Sequence, residues 1–303
     1  MLADMDLWGT IRRSAACVDD RTASVLHRAT AARIGARAAS NLALAERLMF
    51  FADRAQRITA VDDEVRSQVL GVQTIAQTQI GNLAVGLAAA EEALAIERRL
   101  NTMRGTARAL RYVTVPLRIS GKFDEAIDSA VESYEVAARN RVAEDAVLGA
   151  DMAASAHFDI GNLDAAQKWL DRAQLWAKRV EADYVKHTLA VTQAMIALER
   201  GELESVPSLV NLEVAAASKS PVIIHRLYDM SLVARYALAT GNTEVLRKCA
   251  DPLMAAVWHV RAFRRQDYFV ATAVFSTAAL QSREEAIAWL ASYRDAHRDT
   301  GSH

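Results

Sequence analysis

Glycine recurs along this chain at a constant interval of 40 residues. The five glycines of this series are Gly81, Gly121, Gly161, Gly201 and Gly241 (121 − 81 = 40, and so on). One step onward falls on Gln281, and one step back falls near residue 40, allowing for a slip of one residue. A fixed period of about 20–50 residues is typical of repeat architectures, in which each unit packs only on its neighbours. The chain is therefore predicted to be a row of equivalent units.

The residues around each glycine predict that one helix ends and another begins there. Glycine adopts the left-handed conformation past a helix C-terminus at little cost, and asparagines such as Asn82 and Asn162 suit the turn that follows. Glycine and proline are otherwise scarce, at 12 and 4 of 303 residues, and strand-length β-branched runs are nearly absent. Each unit is predicted to be a helical hairpin. The first helices of six units should cover 61–80, 102–120, 142–160, 182–200, 221–240 and 261–280, and an earlier hairpin should span about residues 20–56.

These hairpins define the predicted fold and its division along the chain. The fold is an all-α, right-handed superhelical solenoid of about seven antiparallel hairpins. Their turns are expected near residues 40, 81, 121, 161, 201, 241 and 281. Residues 1–19 are predicted to form a lead-in helix, residues 20–297 the repeat domain and residues 298–303 a C-terminal tail.

Three prolines predict where a helix begins or is interrupted. Ser220 and Pro221 are expected to begin a helix, as an N-cap and a first helical residue. Pro116 lies inside a predicted helix and should kink it. Pro252 is expected to split a second helix into two pieces.

The turn sequences and the small residues at fixed positions carry a family resemblance. Residues 121–127 read Gly-Lys-Phe-Asp-Glu-Ala-Ile and residues 161–166 read Gly-Asn-Leu-Asp-Ala-Ala. Both resemble the tetratricopeptide repeat, although the usual unit has about 34 residues rather than 40. The longer unit is similar to the sensor region of large bacterial transcriptional regulators. The resemblance implies a cytoplasmic, non-catalytic interaction or sensor module with a concave groove lined by the first helices.

Four arginines at helical spacing form the first candidate binding surface. Arg104, Arg108, Arg111 and Arg118 follow one another at steps of 4, 3 and 7 and should share one face of a helix. Guanidinium groups suit carboxylate and phosphate, so the face could bind an anion or an acidic peptide. The alternative is a solvated face that pairs with nearby glutamates.

Alignment with the tetratricopeptide family implies further groove residues in the later repeats. They include Asp151, Ser155, Tyr228 and Arg235, together with Met195, Tyr268 and Phe275. A mixture of aromatic, methionine and charged side chains is compatible with a peptide or small-ligand groove. The alternative is ordinary packing between repeats.

Charge, cysteines and motifs narrow the classes of function. A net charge of −1 gives no general attraction to nucleic acid or to an anionic membrane, so neither is expected as a partner. Two distant cysteines argue against a disulfide framework or a zinc site. Because HExxH, GxSxG and Rossmann motifs are missing, we expect no enzyme, cofactor or metal.

The expected partner is a protein or a peptide bound in the groove. The alternative is a small-molecule effector that controls oligomerisation. Residues 268–280 are apolar nearly all round, which favours burial on both sides of that helix. A second subunit, or a further helix of a longer chain, could cover the C-terminal hairpin, unless the curved end of the stack already hides it.

Overall fold

The computed structural model describes residues 6–42, 44–59, 62–211, 223–259 and 266–296. Over these residues the chain is helical, with no strand. The helices are α1 (Leu7–Asp19), α2 (Val25–Asn41), α3 (Ala45–Gln56), α4 (Asp63–Gln79), α5 (Leu83–Arg99), α6 (Met103–Ile119), α7 (Phe123–Arg139), α8 (Ala143–Asp159), α9 (Leu163–Ala177), α10 (Asp183–Glu199), α11 (Val206–Leu209), α12 (Ile223–Thr240), α13 (Thr243–His259), α14 (Gln266–Leu280) and α15 (Arg283–Ala296). A 3₁₀ turn, Leu203–Ser205, precedes α11.

The helices pair into seven antiparallel hairpins, which we number one to seven. The first helices of the hairpins are α2, α4, α6, α8, α10, α12 and α14, and α1 packs on α2 ahead of hairpin one. Each first helix contacts the first helix of the next hairpin, so the first helices form one continuous layer. The predicted all-α solenoid of stacked hairpins is thereby confirmed.

The glycines of the 40-residue series occupy the turns within the hairpins. All five have positive φ, between 69° and 90°. At Gly161 the backbone N–H donates to the carbonyl of Phe158, and the N–H of Asn162 donates to the carbonyl of His157. This pair of bonds satisfies carbonyls that the end of a helix leaves free. An added Cβ at Gly161 would meet no atom within 4 Å, so the requirement for glycine there comes from the backbone alone.

Small residues let the hairpins approach one another closely. Gly149 on α8 faces the backbone of α7, and a Cβ there would lie 2.7 Å from the amide nitrogen of Tyr134. Ala126 and Ala166, each five residues after a turn glycine, are completely buried, and Ala154 is buried on a first helix. Close packing of this kind penalises even one added methyl group.

Hairpin five departs from the regular pattern. Of the second half of this hairpin, the described residues contain the 3₁₀ turn and the single turn of α11, with Pro207 near its start. At Val210 the backbone is extended, with φ −136° and ψ 131°. The helix start expected at Ser220 and Pro221 lies outside the described residues.

The prediction for Pro252 was wrong. Helix α13 runs through this residue without a break. Leu246 and Leu253 are both buried in the core on either side of the proline. Packing on both sides therefore outweighs the one helical hydrogen bond that proline removes. Pro116 lies inside helix α6, as expected, and the kink there stays a prediction.

Candidate functional site

The inner layer of first helices is connected by side chains that reach from one hairpin to the next. The Nε of Arg33 on α2 donates to Oε1 of Gln68 on α4, at 2.5 Å. The hydroxyl of Thr192 on α10 donates to Oδ1 of Asp151 on α8, at 3.1 Å. His187 on α10 lies 2.9 Å from Asp229 on α12. These bridges fix the register between consecutive hairpins.

In hairpins four to seven the chain closes its own concave side. The rings of Phe158 on α8 and Tyr268 on α14 lie edge to face, with centroids 6.3 Å apart. Arg235 on α12 places its Cζ 4.4 Å from the centroid of the Tyr268 ring and pairs with Glu199 on α10. Helices α8 and α14 belong to hairpins four and seven, so they can touch only across the inner side of a curved stack.

Four of the predicted groove residues lie within this closed region. Asp151 and Ser155 are each only 6% exposed, and the Tyr228 ring packs edge to face on Phe269, with centroids 5.2 Å apart. Arg235 is engaged as described above. Their side chains make contacts within the chain of the kind expected from packing between repeats. A role for them in binding a partner stays a prediction.

The four arginines of α6 do not form one exposed stripe. Arg118 has a side chain that is 1% exposed and donates to Oδ2 of Asp159 through Nε at 2.9 Å and Nη2 at 2.5 Å. Arg111 pairs with Asp145 at 2.7 Å, and both side chains are mostly buried. The next first helix thus supplies carboxylates to two of the four guanidiniums. Arg104 is exposed at the start of α6.

Arg108 turns in another direction and is held by a buried carboxylate. Its Nη2 lies 3.0 Å from Oε1 of Glu97, the side chain of which is 5% exposed. The hydroxyls of Ser67 and Thr102 also donate to Glu97. Gly105 makes room for this carboxylate, because a Cβ there would lie 1.8 Å from Oε2 of Glu97.

Arg108 belongs to a group of guanidiniums around Tyr112, which we call the arginine–tyrosine cluster (Arg33, Arg37, Arg108 and Tyr112). Burial raises the pKa of Tyr112, but the charges of Arg33, Arg37 and Arg108 and a hydrogen bond from Arg33 outweigh it, so the pKa is lowered. Burial lowers the pKa of Arg108, and the neighbouring charge of Arg33 lowers it further. The potential at this point is therefore positive.

A glycine allows the cluster to form across three hairpins. Arg33 belongs to α2 and Tyr112 to α6, and α4 lies between them. At Gly71 on α4 an added Cβ would lie 3.0 Å from Cδ of Arg33 and 3.4 Å from Cε2 of Tyr112. Arg33 thus passes over α4 on its concave side, where no side chain stands in the way.

Sequence reasoning found Arg108 but missed Arg33, Arg37 and Tyr112. The C-cap residues of α2 and α4, Leu42 and Ile80, are 38 residues apart (80 − 42 = 38), whereas the C-caps of α4 and α6 are 40 residues apart (120 − 80 = 40). With the 38-residue step, Arg33 falls in register with Gly71 and Arg111. The shorter first unit was the signal that could have placed Arg33 on the concave side.

Three further features concern metal binding, the cysteines and the exposed apolar residues of the C-terminal hairpin. Among the described residues, no group of three or more His, Cys, Asp or Glu side chains is placed to hold a metal ion. Cys17 and Cys249 are free thiols, the first half-buried and the second buried. On the C-terminal hairpin, Phe275 is 60% exposed and Ile287 is 57% exposed.

Membrane spanning was tested on the helices themselves. Within the described ranges, none combines the length and the apolar character that a bilayer crossing requires.

The fold has counterparts among solved structures, while sequence comparison finds none. No family model and no curated protein matches the chain. The structure of a Rap protein complexed with competence and sporulation factor is similar, with a TM-score of 0.69 and 10% identity over 98% of this chain and 88% of that one. The apo form of RapI is also similar, with a TM-score of 0.59 and 12% identity over 95% of this chain and all of that one. These likenesses show that this chain shares the helical-repeat fold of the Rap proteins.

Proposed function

We propose that this chain is a non-catalytic interaction module of a bacterial regulator, which binds a peptide or protein partner on the concave side of hairpins one to three. The observation that carries the proposal is the contrast between the two halves of the inner layer. Hairpins four to seven fill their concave side with their own aromatic and charged side chains. Hairpins one to three instead present arginines there, of which Arg37 and Arg104 are exposed.

The likeness to Rap proteins supports the partner class, and the general behaviour of helical-repeat stacks supports the choice of surface. One of the similar structures is a complex with competence and sporulation factor, and it matches nearly the whole of this chain. Curved stacks of helical hairpins generally use the inner surface for recognition. In this proposal the module works in the cytoplasm. Partner binding would change the curvature of the stack, or cover a surface that an attached effector uses.

The proposal is tested by locating the contact of a selected peptide. The full chain is used to select binders from a random peptide library, and a photo-crosslinking amino acid is then placed at Arg104 or at Leu175. Arg104 is exposed on a first helix, whereas Leu175 is 63% exposed on the second helix α9 and serves as the matched control. We expect crosslinks at Arg104 only. Equal crosslinking at both positions, or at Leu175 alone, would contradict the proposal.

The exposed apolar residues of the C-terminal hairpin favour a second candidate function, self-association. Phe275 and Ile287 project from α14 and α15, and large apolar side chains that remain exposed often mark an interface. We propose that two copies pair through this hairpin, under the control of a small-molecule effector. Sedimentation analysis of the Phe275→Ser/Ile287→Ser variant against the parent chain tests this. A parent that is monomeric at high concentration, with and without a metabolite library, refutes it.

A further inference from the structure

The arginine–tyrosine cluster has the donors of a carboxylate site. Arg33 hydrogen-bonds to a neutral group, the carboxamide of Gln68, and its Cδ and the Tyr112 ring both lie close to the point that an added Cβ would occupy at Gly71, 3.0 and 3.4 Å from it. A guanidinium has only donors, whereas the phenol of Tyr112 can donate its O–H to a carboxylate. Arg108 uses one of its five N–H groups on Glu97. The cluster thus brings two guanidiniums and a phenol hydroxyl to one point on the concave side.

The chain already binds one carboxylate next to this point, and with the same kinds of donor. Glu97 receives hydrogen bonds from two hydroxyls, those of Ser67 and Thr102, and from the guanidinium of Arg108. Arg108 is shared between this internal carboxylate and the cluster. An incoming carboxylate would meet an equivalent set, with the hydroxyl of Tyr112 and the fork of Arg33 in place of the two short side chains.

We infer that the arginine–tyrosine cluster is the receptor for an acidic side chain of a peptide bound along the concave side of hairpins one to three. The inference rests on the proposed function and adds the chemistry of the partner. Arg33 and Arg108 supply charge-assisted hydrogen bonds, the Tyr112 hydroxyl supplies a third bond, and Arg37 adds positive charge beside them. Because Gly71 has no side chain, Arg33 can cross α4 at that position. The site therefore depends on a residue that does not itself contact the ligand.

The test uses blocked peptides and observes Tyr112 directly. The probes are acetyl-Ala-Glu-Ala-Glu-Ala-amide, the same peptide with glutamine for glutamate, the glutamine peptide with a free C-terminus, and inorganic phosphate. Tyrosine rings are labelled with ¹³C at Cζ, and the signal of Tyr112 is assigned among seven by the Tyr112→Phe variant. We expect a saturable shift with the glutamate peptide alone, together with a rise in the pKa of Tyr112 as its positive surroundings are neutralised.

Substitutions then separate a binding role from a structural one. Arg33→Gln should weaken binding of the glutamate peptide about tenfold or more, while Arg98→Gln, on the exposed face of α5, should change it less than about twofold. Gly71→Ala keeps every charge and has a higher helix propensity, but its added methyl group displaces the Arg33 side chain. This variant should therefore bind the glutamate peptide more weakly while its helix content stays unchanged. Arg33→Lys should restore part of the affinity.

The outcomes distinguish this inference from the proposed function. An equal shift with the glutamine peptide, tighter binding of phosphate or of the free C-terminus, or an Arg33→Gln variant that binds normally would each overturn the acidic-side-chain site. If library peptides crosslink at Arg104 and bind the Arg33→Gln variant as tightly as the parent chain, the proposed function is supported and the acidic-side-chain inference fails. If the glutamate peptide binds but library peptides crosslink only at Leu175, the cluster is a small-anion site and the proposed function fails.

Discussion

Replacing a turn glycine by alanine should reveal how much backbone strain the repeat turns avoid. At Gly161 φ is +74° and no atom lies within 4 Å of an added Cβ, so a methyl group there meets no steric obstacle. The cost comes from placing an L-residue in the left-handed region, which is about 1–2 kcal/mol. We therefore expect Gly161→Ala to lower the free energy of unfolding by that amount. Gly161→Asn should lower it less, since asparagine tolerates this conformation.

The same reasoning predicts that a substitution to glycine raises the free energy of unfolding at a turn between hairpins. Arg141 is exposed and has φ +56°, so the natural chain already bears the strain there. Arg141→Gly should raise the free energy of unfolding by up to about 1 kcal/mol. Urea unfolding followed by far-UV circular dichroism measures all three variants, and amide exchange in α8 and α9 reports the local effect. A Gly161→Ala variant as stable as the parent, or an Arg141→Gly variant that is less stable, would refute the reasoning.

Three further expectations concern polar groups that are wholly or partly buried. Arg118→Met should lower the free energy of unfolding by about 3–5 kcal/mol because it removes the buried guanidinium that pairs with the Asp159 carboxylate. Adding Asp159→Asn should recover at least about 1 kcal/mol of that loss. A double variant with the same free energy of unfolding in urea as the single variant would contradict this. Burial raises the pKa of Cys249 to about 11 from 9.0, so the stability that its neutral thiol contributes below pH 9 is lost as the pH rises towards 11. Cys249→Ser should lack that loss in unfolding measured at each pH, and a thiol reagent at pH 8 should modify Cys17 before Cys249. Burial lowers the pKa of His157 from 6.5, so stability should fall as the pH drops below 6.5. Parallel pH profiles for His157→Gln and the parent would contradict this.

Glycine spacing was sufficient to predict the hairpins because the turn requirement is local. A positive φ at a fixed position is a property of the backbone, and it leaves a direct mark in the sequence. First helices were therefore placed within a few residues, as α6 and α8 show: 102–120 and 142–160 were predicted, against Met103–Ile119 and Ala143–Asp159. The break in the second helix of hairpin five at Val210 was not predicted, because the turn glycine of that hairpin, Gly201, has the same spacing as the others.

The candidate site was harder to predict, because it depends on contacts between hairpins. Helical spacing predicts that the arginines of α6 share a face, but it does not show that α8 presents Asp145 and Asp159 to two of them while Arg108 turns to Glu97. Likewise, nothing local links Arg33 with Tyr112; their meeting depends on a glycine in a helix between them and on a first unit two residues shorter than the rest. The sequence shows the chemistry of each side chain, but the partner of each side chain is known only from the arrangement of neighbouring hairpins in the structure.

The contact between Phe158 and Tyr268 changes how this solenoid should unfold and how it can be shortened. A repeat protein in which units meet only their neighbours can lose an end unit at the cost of one interface. Here hairpin seven also covers an aromatic ring of hairpin four, so removing the last hairpin would expose apolar surface deep inside the chain. Hairpins four to seven should accordingly melt as one cooperative block, while hairpin one can fray separately.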